Sequence, residues 1–213
     1  INSETDFVAK NNEFILFAED VSKLALSKLG KLDDILNSEM PNKKKTKDNL
    51  VNLVSKIGEK ITIRRSSYVG SDKLLNFSYT HSALKKNVGK LGVLLSLKTS
   101  KKSKEILDLG KQLAMQIAAS APLAISKDKL DQKVIEKEKE IITEELKTSG
   151  KDNKIIEKIA IGKINKFISE NTLLDQEWIM DPKKKVKDVI KEFAGKEKIE
   201  IEKFERFKVG EGL

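Results

Sequence analysis

The sequence predicts an α+β fold: two subdomains of small antiparallel sheets covered by helices, with an antiparallel helical hairpin inserted into the second. Three patterns in the 213 residues point there. Apolar residues recur at three- and four-residue spacing over 14–29, 50–57, 106–117 and 186–193, the period of a buried helix face. Between them stand short alternating or continuous apolar runs at 61–65, 74–79, 91–97 and 199–209, the pattern of half-buried and buried strands. From 131 to 170 the texture changes to two long amphipathic segments separated by Ser149-Gly150, which predicts a helical hairpin.

Taken in order, the chain opens on Asn2-Ser3-Glu4-Thr5-Asp6-Phe7-Val8-Ala9-Lys10, a polar cluster with one large aromatic. Either Thr5 or Asp6 is an N-cap acceptor for the helix that follows. Phe14, Phe17, Ala18, Val21, Leu24, Ala25 and Leu29 form the buried face of that helix, and Gly30 stops it. A charged connector with Pro41 and Lys43-Lys44-Lys45 reads as a solvated loop. Leu50, Leu53, Val54 and Ile57 mark a second helix, closed by Gly58. Ile61-Thr62-Ile63-Arg64-Arg65 alternates and predicts a strand with a basic outer face. Gly70-Ser71-Asp72 is turn chemistry, so the subdomain boundary is placed there, giving 1–72 and 73–213.

The second subdomain begins with a strand over Leu74–Tyr79. His81 lies just beyond it, a polar loop spans Ser82 to Val88, and a Gly-bounded buried strand covers 89–97. Ile106, Leu109, Leu113 and Ile117 define a helix that Pro122 ends, and its small Ala and Ser residues read as close packing. The hairpin, 131–170, has a narrow apolar stripe and a Glu136–Glu140 charge run, so it is expected to project. Trp178 reads as a core-rim residue in a connector. Asp181-Pro182 reads as the start of a helix with Pro in its first position, ended by Gly195. A strand over 199–212 closes the chain.

Net charge is +9, from 42 basic and 33 acidic residues. The signs are interleaved, only 5% of residues are aromatic, and Lys dominates over Arg. Base readout and stacking call for the opposite on each count, so the charge reads as solvated helix surface and no specific nucleic-acid partner is expected. No apolar run reaches the roughly 18 residues of a membrane span. The chain has no cysteine and one histidine, which excludes thiolate metal sites and argues against zinc chemistry; around His81 no Ser-His-Asp or Cys-His constellation can be assembled from spacing. No phosphate-binding Gly-x-x-x-x-Gly-Lys loop is present, and no cofactor is expected. Glu4 and Asp6 lie two apart with no His or metal cluster beside them.

Several segments follow a known order. Glu4-Thr5-Asp6-Phe7-Val8-Ala9-Lys10-Asn11, Ile61-Thr62-Ile63-Arg64-Arg65, Tyr79-Thr80-His81 and Gly89-Lys90-Leu91-Gly92-Val93-Leu94 are four of them. Met115-Gln116-Ile117-Ala118-Ala119-Ser120-Ala121-Pro122 and Phe204-Glu205-Arg206-Phe207-Lys208-Val209-Gly210-Glu211-Gly212 complete the set. Together they resemble the elongation factor Ts family along essentially the whole chain. The resemblance implies the family's core region, without the small helical domain ahead of it and the helical module after it. It implies a guanine-nucleotide exchange factor that binds the GTPase elongation factor Tu, GDP-bound or nucleotide-free. GDP release would follow from disturbing that partner's magnesium and phosphate site, with no covalent chemistry. By the same resemblance Thr5, Asp6, Phe7, Val8 and His81 are partner-binding residues. The default location is cytoplasmic, with an organelle version after presequence removal as the alternative, and a homodimer through the hairpin is left open. The alternatives are a basic ribosome- or RNA-associated helical protein, which a steep salt dependence of binding would reveal, and a scaffold that oligomerises through the hairpin.

Overall fold

The computed structural model describes residues 1–100, 102–147 and 152–212. About 50% is helix and 21% strand, in small antiparallel sheets covered by helices, which is an α+β fold. The chain divides into two compact units. The first comprises Ile1–Gly70, Ser78–Leu94 and Glu205–Leu213; the second comprises Ser71–Phe77 and Leu95–Phe204.

In the first unit, α1 (Asp6–Ala9) is a single turn and α2 (Asn12–Ser27) a long amphipathic helix. The Asn11 side chain caps α2 by accepting from the Glu13 amide at 2.8 Å. Phe14, Phe17 and Val21 of α2 are buried together with Val8, Ile35, Met40, Leu53, Ile61 and Ile63. Each such side chain contributes about 1.5–3 kcal/mol of burial. Between α2 and α4 (Thr46–Ile57), the connector expected to be irregular contains a short helix, α3 (Leu32–Asn37), whose Ile35 is fully buried.

Residues 61–63 keep the expected alternation, with Ile61 and Ile63 buried and Thr62 exposed, but Arg65, which would follow them inward, is exposed. They do not build the expected strand. A ladder needs a neighbour, and only Asn2 supplies one, through paired hydrogen bonds with Thr62 of 2.9 and 3.0 Å.

Strands β1 (Leu75–Lys85), β2 (Val88–Lys98) and β5 (Glu200–Lys208) form a sheet in the order β1-β2-β5, and the unit boundaries fall within these strands. The loop expected at 82–88 is instead mostly strand. β1 runs on to Lys85, and only Lys86-Asn87 turn, with Asn87 at φ +62°. Residues 81–87 are all exposed, so no face carries the apolar alternation that marks a strand in sequence.

In the second unit, Ser103 caps α5 (Lys104–Ser120), and Ile106, Leu109, Leu113 and Ile117 form its fully buried face. Helices α6 (Gln132–Lys147) and α7 (Asn153–Asn171) pack on each other as the expected hairpin, with Lys163 Nζ 2.7 Å from Glu145. The turn expected at Ser149-Gly150 lies outside the described residues. Ile135 and Ile168 join Ala124 and Leu130 in a separate small core at the hairpin base. A two-stranded sheet follows a 3-10 turn at Leu173–Asp175, pairing β3 (Glu177–Trp178) with β4 (Asp181–Lys185), and Trp178 is buried. Asp181-Pro182 therefore opens a strand rather than a helix. α8 (Val186–Ala194) starts several residues later, because Trp178 pairs with Asp181 and holds that segment extended. Proline is tolerated there as in other edge strands.

Two helix-ending glycines differ in a testable way. Gly58 (φ +81°) has open space where a Cβ would stand. At Gly30 (φ +74°) a Cβ would lie 2.7 Å from the backbone of Ser67 and Tyr68. Gly58→Ala should cost about 1–2 kcal/mol, the left-handed penalty alone. Gly30→Ala should cost roughly 2–5 kcal/mol, because strain and overpacking add. Denaturant midpoints of the two variants check the order.

Candidate functional site

Segments far apart in sequence meet in the first unit around a cavity of about 810 Å³, whose lining includes Thr5, Asp6, Phe14, Arg65, Lys90 and Phe207. The turn at its rim is built by hydrogen bonds to the end of α4. Thr5 is the N-cap of α1, and its Oγ1 accepts from the Val8 amide at 3.4 Å. The same hydroxyl donates to Glu59 Oε1 at 2.8 Å, and the Thr5 amide donates to Glu59 Oε2 at 3.1 Å. In return the Lys60 amide donates to Glu4 Oε2 at 3.2 Å. Residues 4–5 and 59–60 thus clasp each other reciprocally. Glu59 was not foreseen; 54 positions separate it from Thr5, and no local pattern marks it.

Asp6 lies in the first turn of α1, where a negative charge is favourable. Its Oδ2 accepts from Lys10 Nζ at 2.9 Å. That hydrogen bond, then the Lys10 charge, and then the Lys90 charge hold the carboxyl below its ordinary value of 3.8. Phe7 is 81% exposed while Val8 is 6% exposed and part of the core. Val8 therefore anchors the turn that displays Phe7, and its side chain is not on the surface. His81 lies within β1, exposed, its Nδ1 3.0 Å from the Tyr79 hydroxyl. Thr5, Asp6, Phe7 and Val8 are brought together in one turn. Neither Phe7 nor His81 lines the cavity.

The motifs at 61–65, 89–94 and 204–212 are joined to one another in the same unit. Arg64 donates to the carbonyl oxygens of Glu211 and Gly212, the latter at 2.9 Å. Arg65 lies 4.4 Å above the Phe207 ring, a cation–π contact. The Val209 amide donates to the Lys90 carbonyl at 2.8 Å, joining the tail to β2. Among the described residues no three His, Cys, Asp or Glu side chains are grouped to hold a metal ion, and no helix is long and apolar enough to cross a membrane.

Fold and site thus define an α+β protein that presents an aromatic side chain on a braced one-turn helix. The profile described as Elongation factor TS matches residues 4–211. The chain is 37% identical to elongation factor Ts of Gluconobacter oxydans over 213 residues, covering all of this chain and 69% of that protein. It is 36% identical over 216 residues to that of Parvibaculum lavamentivorans and 37% over 217 to that of Rickettsia bellii, covering all of this chain and 70% of each. The chain belongs to the elongation factor Ts family, and so to the translation elongation factors of protein biosynthesis.

The Asp6–Lys10 pair has a pH signature. A lowered folded pKa means that the pair's contribution is complete above the unfolded value of 3.8 and is lost as pH falls through the lowered folded value. Lys10→Ala should raise the Asp6 titration midpoint toward 3.8, read from its carboxyl carbon shift by NMR, with no difference between the proteins once Asp6 is protonated.

Proposed function

We propose that this chain is a guanine-nucleotide exchange factor that binds elongation factor Tu and speeds release of its GDP. The observation that carries the reading is Phe7, exposed to 81% on a turn that Val8, Thr5 and Glu59 hold in place. Its ring is free to enter a partner, and Asp6 beside it places a carboxylate where a magnesium and phosphate site is to be disturbed. His81 and its Tyr79 partner form a second contact on β1, and the α6–α7 hairpin a third. The chain itself carries out no covalent step and needs no cofactor. On this reading it works in the cytoplasm, without a specific nucleic acid.

Exchange of this kind is differential binding. The factor favours the nucleotide-free partner, and by linkage it weakens GDP by the same ratio by which GDP weakens the factor. Each tenfold loosening of GDP corresponds to about 1.4 kcal/mol. Burial of one large apolar side chain is worth about 1.5–3 kcal/mol, so Phe7 alone can account for one to two powers of ten.

Fluorescent-GDP release from elongation factor Tu, with and without the chain, tests the reading. Phe7→Ala should leave unfolding within about 0.5 kcal/mol of the parent, as at an ordinary surface site. It should also slow stimulated release at least about tenfold, equivalent to ~1.4 kcal/mol. A Phe7→Ala protein that is strongly destabilised yet fully active once folded would sink the proposal.

A further inference from the structure

The amides of Gln116 and Gln176 lie in the second unit, at the end of α7, and neither residue is itself one of the contacts named in the exchange reading. Both side chains are buried, Gln116 completely. Gln116 Nε2 faces three acceptors: Ser120 Oγ at 3.0 Å, Gln176 Oε1 at 3.3 Å and the Glu177 carbonyl at 3.1 Å. Its Oε1 accepts from the Ile179 amide at 2.9 Å. Gln176 Nε2 donates to the carbonyls of Ser120 at 3.1 Å and Glu170 at 2.8 Å, while the main-chain carbonyl of Gln176 accepts from the Val186 amide at 3.0 Å. The two amides therefore tie together the last turn of α5, the last turn of α7 and the β3 segment. Buried amides are costly unless every polar atom is paired, and here each one is.

The other anchor of the helical hairpin is apolar: Ala124, Leu130, Ile135 and Ile168, with Ile164 and Phe167 packed against them. Such contacts are non-directional, so they hold the hairpin down without setting its angle. Backbone bonds from Leu123 to the Asn171 carbonyl and from Leu173 to the Ala124 carbonyl fasten the end of α7 along one edge. The Gln176–Glu170 bond grips it at a second point. One point fixes a pivot and two fix a direction, because a hydrogen bond weakens steeply when it is bent.

We propose that Gln116 and Gln176 are positioning residues whose amides set the angle at which the α6–α7 hairpin leaves the body of the second unit. Only the consequence for nucleotide release rests on the exchange reading; the angle itself does not. The chain has no cysteine, so two introduced ones can be spin-labelled uniquely. Lys158→Cys on α7 with Lys191→Cys on α8 measures the hairpin against the body, and Lys139→Cys with Lys158→Cys measures it internally. All three lysines are exposed. The test variant is Gln116→Met with Gln176→Met, which keeps side-chain length and removes the amides. Gln176→Met alone serves if the double variant does not fold.

The expected result is a broadened or shifted hairpin-to-body distance with an unchanged internal distance. An unchanged hairpin-to-body distance would overturn the proposal. Equal broadening of both distances would overturn it too, since the amides would then stabilise the hairpin instead of aiming it. In the label-free variants, GDP release from elongation factor Tu should slow by roughly 2- to 30-fold, the span of indirect positioning effects. A changed angle with unchanged release would leave the positioning role standing and count against a contact role for the hairpin.

Discussion

The constraint on which the exposed aromatic depends is the burial of the residue after it. Successive helical side chains point about 100° apart, so a one-turn helix that buries Val8 must turn Phe7 outward. The turn cannot rotate to relieve this, because both ends are fixed. Thr5 caps its start and is itself gripped by Glu59, while the Asn11 amide returns to the Val8 carbonyl at 2.9 Å and Asn11 caps the next helix. An unburied Phe forgoes about 1.5–3 kcal/mol in the isolated protein. On the exchange reading proposed above, that free energy is recovered when a partner surface buries the ring.

Several residues that carry the family likeness tie distant segments of the first unit together. Asn2 pairs its backbone with Thr62, Arg64 occupies the carbonyls of Glu211 and Gly212, and Arg65 covers Phe207. Arginine suits such work, since its planar guanidinium satisfies two carbonyls or covers a ring where a lysine would give a single flexible point charge. Two cations, Lys10 and Lys90, lower the pKa of Asp6 beside Phe7, the Lys10 hydrogen bond contributing most.

What could be read from the sequence follows the same division between local and distant causes. Helices with a clear apolar face were legible, down to Gly58 as the left-handed stop of α4. At 61–63 the inward and outward faces were legible, but the absence of a ladder was not, because strand pairing depends on neighbours outside the segment. At 82–88 the reverse holds: exposed polar residues hid a strand that backbone pairing carries through. Asp181-Pro182 has the local chemistry of a helix start, and its pairing with Trp178 overrode it. Phe7 and Val8 stood out as residues, yet which of them faces inward is decided by a core assembled from 14–63.

Gln116 shows the limit most clearly. In sequence it sits in a stretch of small and apolar residues that reads as close packing, and packing is indeed what its neighbours do. Its amide acquires a role only because Gln176, Glu177 and Ile179, about sixty residues on, return to it. The first unit's turn and the second unit's hairpin are held by the same combination. Apolar burial supplies proximity, with little preference for direction. A few hydrogen bonds from distant residues, Glu59 in one case and Gln116 with Gln176 in the other, then choose one orientation among those that packing alone would allow.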